Sequence, residues 1–188
     1  MRSLSPVAGR LDVRSVHAAP DLLAEPVRAA LAGLPPGLVA RCAVAEIDPA
    51  FADTAALCAH YQVPLEASAN CVIVTGRRAG AQRWAACVVL AVTRVDVNGV
   101  VRRWLDVRKA SFAAQHDVLE RTRMEYGGIT PLGLPADWPV LLDPAVAAAE
   151  QVVIGSGLRR SKLLMPGELL AALPSAVILD GVGLGLAG

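Results

Sequence analysis

Two apolar runs, CVIVTG (71–76) and WAACVVLAV (84–92), constrain the fold most tightly. Both are short, rich in β-branched residues and separated by the basic, glycine-containing segment GRRAGAQR. Side chains branched at Cβ are stiff at χ1 and pack well on a pleated surface, so the pattern predicts two strands joined by a turn. The flanking sequence supplies the rest of a mixed fold. Residues 21–34 (DLLAEPVRAALAGL) place Leu23, Val27, Leu31 and Leu34 on one stripe, with an acidic start and a Gly-Leu-Pro-Pro stop. That spells an amphipathic helix with Pro26 near its first turn. LVARCAVAEI (38–47) alternates as a strand, and Asp48-Pro49 opens a second helix ending near Tyr61. Asn98-Gly99 reads as a hairpin-type turn leading into VVRRWLDV. A helix is expected around 115–123. WPVLLD, QVVIGSG and SAVILD read as strands, and DPAVAAAEQ and PGELLAAL as helices with a proline near N1.

With 188 residues, 54% hydrophobic and 19% charged, the chain is expected to form one α/β (α+β) domain around a substantial sheet. The expected organisation is an N-terminal extension (1–20), the domain (21–180) and a flexible tail (181–188). No apolar run reaches the roughly 18 residues that span a bilayer, and the N-terminus has no apolar stretch of signal-peptide length. A cytoplasmic, non-membrane protein is the expectation. Cys42, Cys58, Cys71 and Cys87 form no CxxC pair, which points to buried thiols in a reducing compartment. Net charge is +1, yet residues 71–130 carry +5 while the two flanking thirds carry −2 each. A mild basic middle suits a phosphate-bearing partner as much as it suits a solvated face.

Several chemical motifs fail on context. Gly183-Leu-Gly185-Leu-Ala-Gly188 matches GxGxxG, but no helix follows to offer its N-terminus to a pyrophosphate. GSGLRRSK (155–162) lacks the Walker spacing, although its backbone N–H groups are able to line a pocket. His17, His60 and His116 stand apart, and no serine sits in GxSxG. No metal or other cofactor is expected.

The segment RMEYGGITPLGLP (123–135) crowds three glycines and two prolines into one connection. Gly127 and Gly128 permit positive φ and close approach, while Pro131 fixes φ and restricts Thr130. Such a loop is either a rigid turn or a cradle of inward N–H groups for a carbonyl oxygen that becomes an oxyanion. Local sequence leaves both open.

The order of NCVIV, WAACVVLAV, RKASFA, YGGITPLGLP and VVIGSGLRRSKLLMPGELLAAL resembles the YbaK/EbsC family of aminoacyl-tRNA editing domains, which also occur inserted in bacterial prolyl-tRNA synthetases. The likeness runs from about Leu22 to Asp180. It implies a mixed, barrel-like sheet flanked by helices, and a free-standing deacylase hydrolysing the ester of mischarged tRNA in trans. The implied partner is the acceptor end of aminoacyl-tRNA, with an aminoacyl-tRNA synthetase as a second candidate. The family's GxxxP loop falls on Gly127, Gly128, Ile129, Thr130 and Pro131, with the amides near Gly128 and Ile129 expected to face the scissile carbonyl. Water attacks in this family, assisted by the substrate's ribose hydroxyl. Gly155, Ser156, Gly157 and Cys71 are the further expected pocket residues.

One departure bears on the chemistry. The family carries a lysine at the start of the first strong strand, where this chain has Asn70, an amide without a charge. The chain holds two lysines against sixteen arginines. Lys109 is therefore the first expected replacement cation and Lys162 the second. The alternative is a non-catalytic module that binds aminoacyl-tRNA or a small aminoacyl-like ligand.

Overall fold

The computed structural model describes residues 6–186, so the first five residues of the expected extension and the last two of the tail lie outside the described residues. In chain order the strands are β1 (Val13–Ser15), β2 (Ala43–Glu46), β3 (Ala69–Arg78), β4 (Ala81–Leu90), β5 (Thr93–Val95) and β6 (Ala110–Phe112). They continue with β7 (Val140–Leu142), β8 (Val152–Gly155), β9 (Ser161–Met165), β10 (Ala176–Ile178) and β11 (Gly183–Gly185). The α-helices are α1 (Glu25–Ala32), α2 (Pro36–Val39), α3 (Thr54–Tyr61), α4 (Arg102–Trp104), α5 (Gln115–Thr122), α6 (Pro144–Ala147) and α7 (Gly167–Ala171). No helix among the described residues is long and apolar enough to cross a membrane.

The predicted strand pair forms the centre of the molecule. β3 and β4 pair antiparallel from Ala69↔Leu90 to Arg78↔Ala81. Their turn is Ala79-Gly80, with φ of 48° and 83°, the doubly left-handed geometry that a two-residue hairpin needs to match strand twist. The strands thus run through most of the GRRAGAQR segment. β4 is buried at every position from 84 to 89. Its period-2 alternation sends Trp84, Ala86 and Val88 into one core and Ala85, Cys87 and Val89 into another. In the larger core Trp84 stacks on Trp138 at 4.8 Å between ring centroids.

The five-stranded mixed sheet has the order β10-β7-β4-β3-β6, with β7 parallel to both of its neighbours. A four-stranded antiparallel sheet, β1-β2-β9-β8, packs beside it, and β11 pairs with β5. The mixed α/β domain is as expected, while its sheets stay open and close no barrel among the described residues. A parallel bridge between Ser68 and Val153 joins the two larger sheets at the start of β3. This seam positions the site.

Several local readings differ from the expectation: the strand read over 38–47 is confined to β2, with Leu38 and Val39 in α2, and residues 183–185 of the expected tail pair as β11 with β5. Asn98-Gly99 makes no hairpin: it lies in a wide helical turn, Val97–Val101, that runs into α4. Asp96 decides this, because its carboxylate accepts from the Gly99 and Val100 amides at 3.0 and 2.8 Å and so caps a helix start. The run SKLLM, unassigned in the sequence reading, is β9, fully buried between β2 and β8.

Candidate active site

The 125–129 segment is fastened to the β8–β9 connection. The Glu125 amide donates to Gly157 O at 2.8 Å, and the Gly157 amide donates to Gly128 O at 2.7 Å. The Arg159 amide donates to Glu125 Oε2 at 2.6 Å. Gly127 sits at φ +83°, and the Gly128 amide closes the turn on Glu125 O at 3.0 Å. A Cβ added at Gly155 would run into the carbonyls of Gly128 and Ile129, so the loop rests directly on β8. Glycine at 155 is a packing requirement.

A cavity of about 380 Å³ opens where this loop meets the start of β3, the ends of β8 and β9 that face it, and the N-terminus of α3. Among the expected site residues it gathers Asn70, Cys71, Gly127, Ile129, Gly155 and Lys162. The volume is that of a small-molecule site.

Lys162 is the unusual member. It is 5% exposed, on β9, and Nζ donates to Ala52 O at 2.8 Å and Gly127 O at 3.1 Å. An ammonium has three donors, so one remains uncommitted among the described residues. Burial pulls its pKa from 10.5 down to about 8, with Asp53 opposing the drop and Arg159 adding to it. At pH 7 the amine still carries its proton, held in a buried corner between two carbonyls.

The other expected residues fall in three groups. Lys109 is exposed beside β6 and does not line the cavity, so Lys162 is the lysine the fold brings to the loop. The Gly128 amide is taken by Glu125 O. Ile129 lines the cavity, and its amide, like those of Tyr126 and Gly127, donates to no acceptor among the described residues. Thr130 is fully buried, away from the cavity wall, and its hydroxyl has no partner among the described residues. Pro131 lines a separate apolar cavity with Gly133 and Leu134.

Ser156 and Gly157 stand behind the wall. The Ser156 hydroxyl lies 2.7 Å from Ser161 Oγ and donates to Ser161 O at 3.0 Å, bracing the connection that carries Arg159. Asn70 Oδ1 accepts from Thr54 Oγ1 at 2.7 Å, which fixes the amide. Burial, with Cys87 adjacent, pushes the Cys71 thiol well above its usual range, so it stays protonated and a poor nucleophile.

Four further polar residues line the cavity: Asp53, Thr54, Tyr126 and Arg159. Asp53 caps α3, accepting from the Ala55 and Ala56 amides through Oδ1. Arg159 lies over the Tyr126 ring, 5.5 Å from its centroid, and donates to Tyr126 O at 3.2 Å. Tyr126 itself is 58% exposed. Sequence held partial signals for these: an exposed aromatic abutting the glycine pair, and an arginine pair after Gly-Ser-Gly.

The aminoacyl-tRNA editing domain model matches residues 48–173, well over half of the chain and every cavity-lining residue. The chain belongs to the aminoacyl-tRNA editing domain family. Three solved structures share the fold seen here. A protein proposed as a trans-editing enzyme for prolyl tRNA synthetase superposes with a TM-score of 0.68 at 19% identity, covering 87% of this chain and 99% of that one. A scaffold protein used for epitope grafting gives 0.67 at 21%, covering 87% and 100%. The hypothetical protein APE2540 gives 0.65 at 20%, covering 75% and 90%. No curated protein matches the chain.

Proposed function

We propose that this editing domain is a deacylase that hydrolyses the ester of mischarged aminoacyl-tRNA in trans, with Lys162 supplying the cation that Asn70 does not. The observation that carries the proposal is the buried Lys162 ammonium, 3.1 Å from the carbonyl of Gly127 and on the cavity wall. In this reading the ester carbonyl sits between the Ile129 amide and the uncommitted Nζ–H. Water attacks, and negative charge developing on the carbonyl oxygen meets both donors. A preorganised donor of this kind contributes about 3–4 kcal/mol to a transition state in a water-poor site. In the same reading the Asn70 amide, which accepts from Thr54, holds a ribose hydroxyl, and Arg159 and Tyr126 meet the nucleotide end. The Cys71 thiol stays a wall.

The rival reading is a non-catalytic module, favoured by Asn70 itself. Purified protein at catalytic concentration, given a panel of mischarged tRNAs, separates the two. Release of amino acid that falls at least about 100-fold in Lys162→Met supports the deacylase. Retention of charged tRNA on a filter with no release supports the module.

A further inference from the structure

The cavity holds three charged side chains, and the reading above uses two of them. Asp53 is the one carboxylate on its wall. As the cap of α3 it uses Oδ1 alone, and Oδ2 accepts from no donor among the described residues. It makes no ion pair among them either, although Arg159 and Lys162 line the same cavity.

We propose that Asp53 receives the free α-ammonium of the substrate and so restricts the site to esters of amino acids whose amine is unblocked. The inference rests on the deacylase reading and names its substrate class. The α-nitrogen of an aminoacyl ester is two bonds from the scissile carbon, about 2.5 Å away. Whatever holds the carbonyl against Ile129 and Lys162 therefore carries the ammonium into the same small cavity. There it meets Lys162, a like charge, and it needs an anion to remain. Asp53 is that anion, on the residue after Ala52, whose carbonyl already binds Lys162 Nζ. The three side chains then match a three-part ligand: Lys162 the carbonyl, Asp53 the ammonium, Arg159 the phosphate-bearing end. Acylating the amine removes the charge and adds bulk, as in peptidyl or formylated esters, and leaves Asp53 facing a neutral amide.

Binding tests this apart from turnover. The probes are the 3′-amide analogues of alanyl- and seryl-adenosine, each with a free and with an acetylated amine, titrated by calorimetry. Asn is as good a helix cap as Asp, so Asp53→Asn keeps α3, and an unchanged melting curve checks it. Acetylation is expected to weaken binding to the wild type about tenfold or more, and to Asp53→Asn less than about twofold. Equal affinity of the wild type for free and acetylated probes, or no binding of either, overturns the inference even if charged tRNA is hydrolysed. Selective binding with no hydrolysis of any charged tRNA supports Asp53 and removes the deacylase reading instead.

Discussion

Replacing Lys162 by methionine keeps the length of the side chain and deletes its charge, and the structure sets what should follow. Burial lowers the lysine pKa from 10.5 to about 8. At pH 7 the folded protein holds a proton that the site disfavours, at a cost of about 3 kcal/mol relative to the unfolded chain. Between pH 8 and 10.5 the unfolded chain binds more protons at this lysine than the folded one, so its contribution to stability rises with pH across that window. By pH 10 the cost has shrunk to about 1 kcal/mol. Methionine has no such dependence. The two hydrogen bonds to Ala52 O and Gly127 O are lost at both pH values, about 1 kcal/mol each. Shared titrations elsewhere cancel in the comparison.

Lys162→Met should therefore gain about 2–3 kcal/mol relative to the wild type when measured at pH 7 instead of pH 10. It should be slightly more stable than the wild type at pH 7 and slightly less stable at pH 10. Urea unfolding at the two pH values reads the difference directly. A stabilising substitution that removes activity is the mark of a site held under electrostatic strain for function. A stability difference independent of pH would refute the buried-charge reasoning, and an unchanged deacylation rate would refute the catalytic role.

Asn70→Lys in the Lys162→Met background should recover at least about tenfold of the lost deacylation rate, because both positions face one cavity; no recovery would mean that position 162 cannot be exchanged for 70. Gly155→Ala should lower stability by about 1–3 kcal/mol in urea unfolding, since its Cβ meets the loop carbonyls, and wild-type stability would show that the loop does not rest on β8. Cys71→Ser should keep the rate within about threefold, whereas a loss of about 1000-fold would point to a covalent thiol. Tyr126→Ala should raise KM for charged tRNA about tenfold with Tyr126→Phe near wild type, as stacking on an exposed ring predicts.

What was legible in the sequence was whatever a short window encodes. The β3–β4 pair follows from β-branched runs and a glycine turn, α6 and α7 from proline near N1, α1 from its apolar stripe. Asn98-Gly99 misled because the same window holds a competing signal, the Asp96 carboxylate, that captures two amides for a helix start. Proximity to the glycine loop was the part a window does not carry. Lys109 is near that loop in sequence and exposed beside β6, whereas Lys162 reaches Ala52 across 110 residues of chain.

That long reach explains how an editing domain can lack the usual lysine and keep a cation at its loop. The cavity forms at a seam: Asn70 comes from the five-stranded sheet, Lys162 from the four-stranded one, and the Ser68–Val153 bridge holds the two edges together. A seam gives a ligand two walls from strands that are independent in sequence, so a charge is free to stand on either. What must be kept is the geometry at Gly127, whose carbonyl accepts from the lysine and whose φ of +83° lets the Gly128 amide close the turn on Glu125 O, leaving the Ile129 amide beyond it without an internal acceptor. Asn70 then becomes intelligible as a neutral neighbour. A second ammonium there would stand in the same small cavity as Lys162, depress its pKa further and release the proton that the proposed deacylation uses. In the protein with Lys162 intact, Asn70→Lys should for that reason slow deacylation and move the alkaline limb of its pH profile below about 8. A faster enzyme with an unmoved limb would mean that the two positions do not share a field.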